Sequence, residues 1–548
     1  MKKGILLYIF ALFISSCHNN SEKILDFSDQ VDALCKELDT KDKPGVAIAV
    51  IKDGKRIYSK GFGMANLEHN TPITPNSVFD IASVSKQFVG FSIALLVEQG
   101  KLSLDDDVKT YIPEFPNFVY PITIKHLLHH QSGLRDWVSA LKLSGVQLED
   151  VVSFEKILEM TYKQTDLNFI PGEQYSYSNT GYNILVEVIQ RITEQPFTDW
   201  TKTHIFEPLG MANTHFKTNN SEVIYNSVNS YYEEENTPFF YSPNNLTAMG
   251  SSSLQTSLND LAKWMQNLDN PKVGKPSTIK LLQKQGVLNS GEITNYAFGV
   301  ELDEYKGLKR IAHDGSWASF NTYVAYLPEH HFSVVVLFNR PWWAQDMAQK
   351  IIDIYLADVL EAETEEPDVH ITPYKDVIDL KVLESYLGTY HLEADVYVHI
   401  FLEDDKMYAQ ATGEDQQVMT AVSETKFWVE SYEAYIEFGT NRYIYKGKTY
   451  EKKKLMKPLI LEYIDNYTGK FYSEELNTVY DVKLDNGKLE LFHLRNGSIP
   501  LHPKWHDGFE TDAWFTPIIE FQRNGENEVI SFTATQFRSR YQKFVKIK

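Results

Sequence analysis

A mostly apolar run from Val84 to Gln99 restricts the fold more than any other feature of the sequence. Lys86 and Gln87 lie near its start, and Gly100 follows it as a stop signal. A helix that is apolar on nearly every side must be surrounded by other elements. We therefore predict a buried helix over residues 84–99 that removes Lys86 from water.

Strand-like segments lie on both sides of this helix, far apart in the sequence. Residues 45–51 are apolar and are followed by an Asp-Gly turn and a returning strand. Residues 321–327 and 332–338 resume the strand pattern, and residues 343–360 are typical of a closing helix. Strands at both ends with helices between them predict an α+β domain, whose one antiparallel sheet joins distant parts of the chain.

The chain has 548 residues, more than one ordinary core supports. Residues 361–373 are acidic, contain two prolines and indicate a linker, after which short alternating strands begin. Tyr-x-Gly-x-Tyr at residues 386–390 recurs as Tyr-x-Gly-x-Phe at residues 467–471, and Phe427 recurs as Phe509. This repeat predicts a duplicated all-β unit folded as two small antiparallel barrels, with two halves of one larger barrel as the alternative.

The N-terminus predicts export. Lys2 and Lys3 precede an apolar run that ends in Ser-Ser-Cys at Cys17, and small residues before a cysteine resemble a bacterial lipobox. We expect cleavage after residue 16, lipidation of Cys17 and a membrane-anchored lipoprotein facing the periplasm or the cell surface. A plain signal with an incidental cysteine is the alternative. The other cysteine, Cys35, lies in a helical pattern that predicts a buried structural thiol.

These patterns divide the chain into six segments. They are a signal sequence (1–16), a tether (17–27), an α+β domain (28–362), a linker (363–378) and two β units (379–457 and 458–548). The formal net charge of −21 argues against nucleic acid as a partner, because such binding needs a basic face.

Ser83 and Lys86 form a Ser-x-x-Lys pattern at the start of the predicted helix. Lys86 lies one turn beyond Ser83 on the same face and can reach its hydroxyl. A serine needs a base to become a nucleophile, and a lysine can serve once burial lowers its pKa. Other serines share this spacing to a lysine, so a helix cap is an equal alternative on spacing alone.

A second pattern, Tyr177-Ser-Asn179, lies in a turn rich in Ser, Gly and Asn. Such a turn can present a phenol and an amide side by side in a cleft. The phenol can accept or relay a serine proton, and the amide can bind a substrate carbonyl.

A third pattern, His313-Asp-Gly315-Ser316, precedes the strand around Tyr323. Gly315 allows a substrate to approach the backbone closely. The N–H groups of Ser316 and Ser83 could then form an oxyanion hole. The same tripeptide recurs at His506, so it is a weak signal by itself.

In this order, the three patterns resemble the active site of the serine β-lactamase and penicillin-binding-protein family, especially its class C-like branch. Stretches at residues 79–83, 124–134, 208–211 and 250–254 look similar too, and the resemblance covers about residues 28–360. It implies a β-lactamase-like fold, acyl-enzyme chemistry and no metal or other cofactor. The implied roles are Ser83 as nucleophile, Lys86 and Tyr177 in proton transfer, and Asn179, His313, Gly315 and Ser316 in substrate binding.

One departure bears on the substrate. True β-lactamases of this kind usually carry Lys-Thr-Gly at the third pattern, where this sequence has His313. Lysine holds a fixed charge for a substrate carboxylate, whereas histidine is largely neutral at pH 7. Relatives with histidine there are DD-carboxypeptidases, D-aminopeptidases or esterases. A tail of two small barrels resembles that of D-stereospecific aminopeptidases and lipocalin-tailed peptidases, and implies that a barrel loop helps to shape the pocket.

These features predict a serine hydrolase that cleaves amide or ester bonds, foremost a peptidase acting on D-residue-containing or cell-wall peptides. An esterase or a weak β-lactamase is the alternative, and a penicillin-binding sensor without turnover is an alternative of another class. The expected partners are a small peptide, amide or ester substrate and the membrane, through the lipid anchor. The oligomeric state stays open.

Two other patterns carry less weight. His126, His129 and His130 could indicate zinc, but no glutamate stands in the zincin position between them. The aromatic residues of the β units could form a glycan-binding surface, but core packing explains most of them.

Overall fold

The computed structural model describes residues 27–147, 149–234, 237–361, 373–374, 378–393, 396–404, 406–439, 442–445, 448–453 and 461–548. The predicted signal sequence, Cys17, the tether before Phe27 and most of the linker lie outside the described residues. Export and lipidation therefore stay predictions. Within the described ranges, no helix combines the length and the apolar character needed to cross a bilayer.

The N-terminal domain, residues 28–361, is built on an antiparallel sheet. Among its described residues the strand order is Glu301–Tyr305, Leu308–Trp317, Phe320–Leu327, Phe332–Phe338, Val46–Lys52 and Lys55–Phe62. Val46 pairs with Phe338, and Lys52 pairs with Phe332. The prediction that one sheet joins distant parts of the chain is confirmed.

Both faces of this central sheet are covered, as the alternation of strand side chains requires. One face of Val46–Lys52 packs with the helices Ser28–Leu34 and Ala344–Tyr355, and buried Cys35 belongs to that core. Its other face packs against the helix Leu258–Asp269 and the core that also contains Phe88.

The helix predicted over residues 84–99 is present as a short 3-10 turn followed by an α-helix. The described helical elements of this domain are Ser28–Leu34, Ala82–Ser85, Lys86–Glu98, Val108–Thr110, Ile124–Leu128, Trp137–Leu143, Phe154–Tyr162, Asn179–Thr193, Phe197–Thr201, Lys202–Phe206, Glu207–Leu209, Leu258–Asp269, Pro276–Leu282, Pro328–His330 and Ala344–Tyr355. The short strands outside the central sheet are Met64–Asn66, Thr71–Pro72, Val78–Asp80, Val152–Ser153, His215–Phe216, Ser230–Tyr232, Phe240–Ser242, Leu246–Thr247 and Leu254–Ser257.

Two separate β units follow, as the repeat predicted. The first barrel is closed, and its described strands are Gly388–Glu393, Val396–Glu403, Lys406–Ala411, Gln417–Ala421, Lys426–Val429, Ala434–Gly439, Arg442–Tyr445 and Lys448–Lys453. The second barrel is one antiparallel sheet formed, in the described part, by Gly469–Ser473, Thr478–Asp485, Lys488–His493, Gly497–Pro500, His502–Trp505, Gly508–Glu510, Ile518–Arg523, Val529–Gln536 and Ser539–Ile547. Its two edge strands, Gly497–Pro500 and His502–Trp505, are separated by Leu501 alone, so the sheet must curl until its edges nearly meet. Short helical elements, Leu380–Tyr386 and Leu461–Tyr467, precede the two units, and Glu430–Tyr432 lies within the first.

The sequence repeat corresponds to one aromatic cluster that occurs in both barrels. The Tyr386 ring lies 4.4 Å from the Phe438 ring and 6.3 Å from the Phe427 ring. The equivalent Tyr467 ring lies 4.9 Å from Phe521 and 5.2 Å from Phe509. The repeat within the sequence therefore reflects equivalent core positions in the two barrels.

The second barrel shares a hydrophobic core with the N-terminal domain. Trp137 and Leu141 belong to the same buried cluster as Tyr480, Phe532 and Phe544. A continuous core of this kind fixes the barrel against the domain more firmly than a polar contact does, because burial of apolar area drives the association.

Arg135 ties the two parts together from within this junction. Its side chain is 2% exposed. Its Nε donates to the Arg540 carbonyl at 2.8 Å, and its Nη1 donates to the Asp166 carbonyl at 2.6 Å. The same guanidinium lies 3.3 Å from the Glu475 carboxylate. Two barrel residues and one domain residue are thus held by one buried cation.

We expect Arg135→Ala to lower the free energy of unfolding by about 3–5 kcal/mol, because it leaves a buried carboxylate and carbonyls without their partner. Urea denaturation followed by tryptophan fluorescence measures this loss. Arg495→Ala is the matched control, since Arg495 also joins the second barrel to the domain but forms an exposed pair with Asp150. Equal losses in the two variants would contradict the assignment of Arg135 as the central tie.

Candidate active site

Ser83 lies on a tight turn that joins the strand Val78–Asp80 to the helix Lys86–Glu98. The residue before it, Ala82, has φ of 46°, in the left-handed region that costs energy for a residue with a side chain. The Ala82 N–H donates to Asp80 Oδ1 at 2.8 Å. The buried Asp80 therefore supports the conformation that presents Ser83.

Two amide side chains in turn hold the Asp80 carboxylate in place. Asn244 Nδ2 and Gln255 Nε2 each donate to Asp80 Oδ2 at 2.8 Å. Burial raises the pKa of Asp80, and these hydrogen bonds act in the opposite direction. Sequence reasoning included Asp80 only within a family-like stretch and did not assign it this role.

Lys86 is fully buried behind Ser83. Its Nζ donates to Ser83 Oγ at 2.9 Å, to Asn179 Oδ1 at 2.8 Å and to the Ser251 carbonyl at 2.8 Å. These bonds use all three hydrogens of an ammonium group. Burial lowers the pKa of Lys86 to about 7, against the opposing charges of Asp136 and Asp314. Near neutral pH, the amine is therefore available in its neutral form, which can accept a proton.

Tyr177 completes this contact set. Its hydroxyl hydrogen-bonds the Ser83 side chain, and its ring centroid lies 4.9 Å from Lys86 Nζ. Burial raises the pKa of Tyr177 well above its ordinary value. The phenol is therefore protonated at neutral pH and can pass a proton on rather than act as a phenolate.

The third pattern lies on the strand Leu308–Trp317, directly beside the turn that carries Ser83. A Cβ atom at Gly315 would lie 2.4 Å from the Ile81 carbonyl oxygen and 3.1 Å from the Ser83 nitrogen. The glycine is thus required for the strand and the turn to touch. Ser316 follows it and lines the cavity. An oxyanion hole formed by the Ser316 and Ser83 N–H groups stays a prediction.

His313 lies in the wall behind the cavity and is fully buried. Its Nδ1 lies 2.6 Å from the Asp314 carbonyl oxygen, which can only accept, so Nδ1 carries the hydrogen. Its Nε2 then accepts from the Tyr296 hydroxyl at 2.8 Å. Burial lowers the pKa of His313 to about 4. The ring is therefore neutral at pH 7, and direct contact with a substrate stays a prediction.

Asp136 is a residue of the site that sequence reasoning missed. It is buried, and its Oδ2 accepts from the Asn179 N–H at 2.6 Å, while its Oδ1 accepts from the Val138 N–H at 3.0 Å. One carboxylate thus caps the helices Asn179–Thr193 and Trp137–Leu143. An aspartate just before an apolar helical pattern is a capping signal that could have identified it.

A cavity of about 700 Å³ opens in front of these residues. Four of the predicted residues line it, namely Ser83, Tyr177, Asn179 and Ser316. The second barrel contributes Trp514, Gln536, Phe537 and Arg538 to the same wall. The resemblance implied that a barrel loop helps to shape the pocket, and these four residues line it. The sequence patterns identified none of them.

Two carboxyl groups line the cavity beside the third pattern. Glu301 and Asp314 come from neighbouring strands of the central sheet. Burial, together with the charges of Asp314 and Asp303, raises the pKa of Glu301 to about 7. Glu301 therefore titrates in the same range as Lys86.

The three histidines of residues 126–130 have separate backbone partners. His126 Nδ1 accepts from the Thr123 N–H at 3.2 Å, and His129 Nε2 lies 3.0 Å from the Lys284 carbonyl. His130 Nδ1 accepts from the Ser178 N–H at 3.1 Å. In the part of the chain that the structure describes, no group of three or more metal-binding side chains occurs.

Known proteins resemble this chain in sequence and in fold. A penicillin-binding protein of Bacillus subtilis (strain 168) is 25% identical over 425 residues, which are 74% of this chain and 93% of that protein. A D-aminopeptidase of Gluconobacter oxydans (strain 621H) is 28% identical over 348 residues, 62% of this chain and 65% of that protein. The octameric penicillin-binding protein homologue from Pyrococcus abyssi superimposes with a TM-score of 0.56 at 22% identity, over 86% of this chain and 99% of that one. That likeness confirms the fold.

The family model described as Beta-lactamase matches residues 31–358. This range contains the Ser83 turn, the Tyr177 turn and the strand with His313. Because the match covers more than half of the 548 residues, the protein belongs to the beta-lactamase family.

Proposed function

We propose that this protein is a serine hydrolase that forms an acyl-enzyme at Ser83. The observation that carries the proposal is the buried Lys86 amine, 2.9 Å from Ser83 Oγ with its pKa lowered to about 7. A base of that strength can take the serine proton near neutral pH.

The proposed reaction has two halves. Ser83 Oγ bonds to the substrate carbonyl carbon while its proton passes to the Lys86 amine. The tetrahedral intermediate then collapses, the bond to the leaving amine or alkoxide breaks, and that group takes a proton through Tyr177. Water adds to the acyl carbon in the second half, with the proton transfers reversed, and releases the acid from Ser83.

For the substrate, we propose amide bonds in D-residue-containing or cell-wall peptides. One relative of this chain is named a D-aminopeptidase and another a penicillin-binding protein. The neutral His313 removes the fixed charge that β-lactam hydrolysis uses at the third pattern. Esters and β-lactams are therefore expected to be poorer substrates.

We expect Ser83→Ala to abolish both covalent labelling by a fluorescent serine-directed acylating probe and all turnover. D-Ala-D-Ala peptides, D-amino-acid amides, short esters and a chromogenic cephalosporin are the substrates to offer. Ser277→Ala is the matched control, because Ser277 stands three residues before Lys280 in the same Ser-x-x-Lys spacing but is exposed and bonds Glu98. Labelling that persists in Ser83→Ala would refute the nucleophile. Labelling at Ser83 without turnover of any of the four would favour a sensor.

We also expect the rate of Ser83 acylation to rise with pH through about 7, as Lys86 loses its proton. Burial holds the pKa of Lys86 low, so its neutral form dominates above that value and falls about tenfold per pH unit below it. Stopped-flow acylation between pH 5 and 9 measures this limb. Glu301 titrates in the same range, so Glu301→Gln is the control. If the limb disappears in that variant, Glu301 rather than Lys86 is the titrating base.

A further inference from the structure

The tip of one hairpin of the second barrel reaches the mouth of the active-site cavity. The strands Val529–Gln536 and Ser539–Ile547 are joined by Phe537 and Arg538, and both residues line the cavity. The backbone of this tip is fixed. The Arg538 carbonyl accepts from the Asp136 N–H at 2.8 Å and from Asn168 Nδ2 at 3.0 Å.

Further contacts hold the tip against the N-terminal domain. Gln536 Oε1 accepts from Ser139 Oγ at 2.9 Å and from the Arg538 N–H at 2.8 Å. Through the Arg538 carbonyl, the hairpin also bonds Asp136, the residue that caps the Asn179 helix. Asp136 therefore contacts both the hairpin tip and the helix that begins at Asn179.

The Arg538 side chain is exposed and lies over the Tyr177 ring. Its Cζ atom is 4.9 Å from the ring centroid, a cation–π distance. Among the described residues, no hydrogen bond or ion pair reaches the guanidinium group. The Arg538 guanidinium thus lies over the Tyr177 ring, and its N–H groups are available to a ligand in the cavity.

No other cation among the described lining residues is available to a substrate. Lys86 lies behind the wall, and its hydrogens are used by Ser83, Asn179 and the Ser251 carbonyl. His313, at the position where related β-lactamases carry lysine, is neutral and bonded on both ring nitrogens.

We propose that Arg538 binds a carboxylate of the substrate and makes the enzyme selective for substrates that carry one. Guanidinium pairs with carboxylate through two parallel hydrogen bonds, which gives direction as well as charge. Asp136, Glu301 and Asp314 line the same cavity, so an anion of higher charge, such as a phosphate monoester, is disfavoured. This inference rests on the proposed hydrolase function and adds its substrate class.

The test compares matched substrates that differ in one charge. One pair is the 4-nitrophenyl ester of glutaric acid and the same ester of monomethyl glutarate, which places the charge on the acyl side. The other is acetyl-D-Ala-D-Ala with a free carboxylate and with a C-terminal amide, which places it on the leaving side. For each pair the measured quantity is the ratio of kcat/KM, charged over neutral. Acylation rates at Ser83, followed by mass spectrometry, replace kcat/KM where turnover is slow.

We expect Arg538→Ala to lower this ratio by about tenfold to a hundredfold in one of the two pairs, which also assigns the side that Arg538 reads. Arg538→Lys should lose less, because it keeps the charge but not the fork. Arg538 also lowers the pKa of Lys86, but that effect acts on both members of a pair and cancels in the ratio.

Arg495→Ala is the control, because it removes another cation of the second barrel that contacts the N-terminal domain without lining the cavity. Its ratios should equal those of the wild type. Ratios unchanged within twofold in Arg538→Ala, in both pairs, would overturn the inference. Such a result leaves the proposed function intact as long as Ser83→Ala still abolishes acylation, so the two failures are distinguishable.

Discussion

The arrangement of the site depends on one buried amine. Lys86 Nζ bonds Ser83, Asn179 and the Ser251 carbonyl, which lie on three separate segments of the chain. The lowering of its pKa to about 7 corresponds to about 5 kcal/mol by which the folded surroundings disfavour its charged form. Such a lysine does not stabilise the fold. The apolar helix, the aromatic rings and the hydrogen-bonded neighbours around it must offset this cost, and they leave an amine that can accept a proton near neutral pH.

The second barrel contributes to the structure of the active site. Arg135 and Asp136 are adjacent, yet the first bonds the Arg540 carbonyl and Glu475, and the second caps the Asn179 helix. The Asp136 N–H also donates to the Arg538 carbonyl. Asp136 therefore connects the barrel hairpin to Asn179, a direct partner of Lys86, through two hydrogen bonds. The position of the hairpin is thus linked to the surroundings of Lys86.

The sequence predicted those features that depend on local pattern. The apolar run after Ser83 predicted a buried helix, and the apolar runs near residues 45 and 335 predicted strands of one sheet. The aligned Tyr386 and Tyr467 gave two barrels with equivalent cores. Features that depend on how distant parts meet were not predictable. Arg538 follows Ser83 by hundreds of residues, and nothing in its hairpin distinguishes it from an ordinary surface arginine.

The hydrogen bonds of His313, which the sequence motif could not reveal, bear on where the charge of the site lies. The resemblance implied a substrate-binding role for His313, which stays a prediction. The ring bonds Tyr296 and the Asp314 carbonyl, which keeps it neutral. A lysine in that wall would add a positive charge beside Lys86 and lower its pKa further. With a neutral histidine there, burial and the carboxylates of Asp136 and Asp314 dominate the field at Lys86. Arg538 instead places its positive charge at the mouth of the cavity, on the hairpin that Asp136 and Asn168 bond to the domain. In the proposed enzyme, the base and the anion-binding group thus belong to different domains, and Asp136 hydrogen-bonds both the Arg538 carbonyl and the Asn179 N–H.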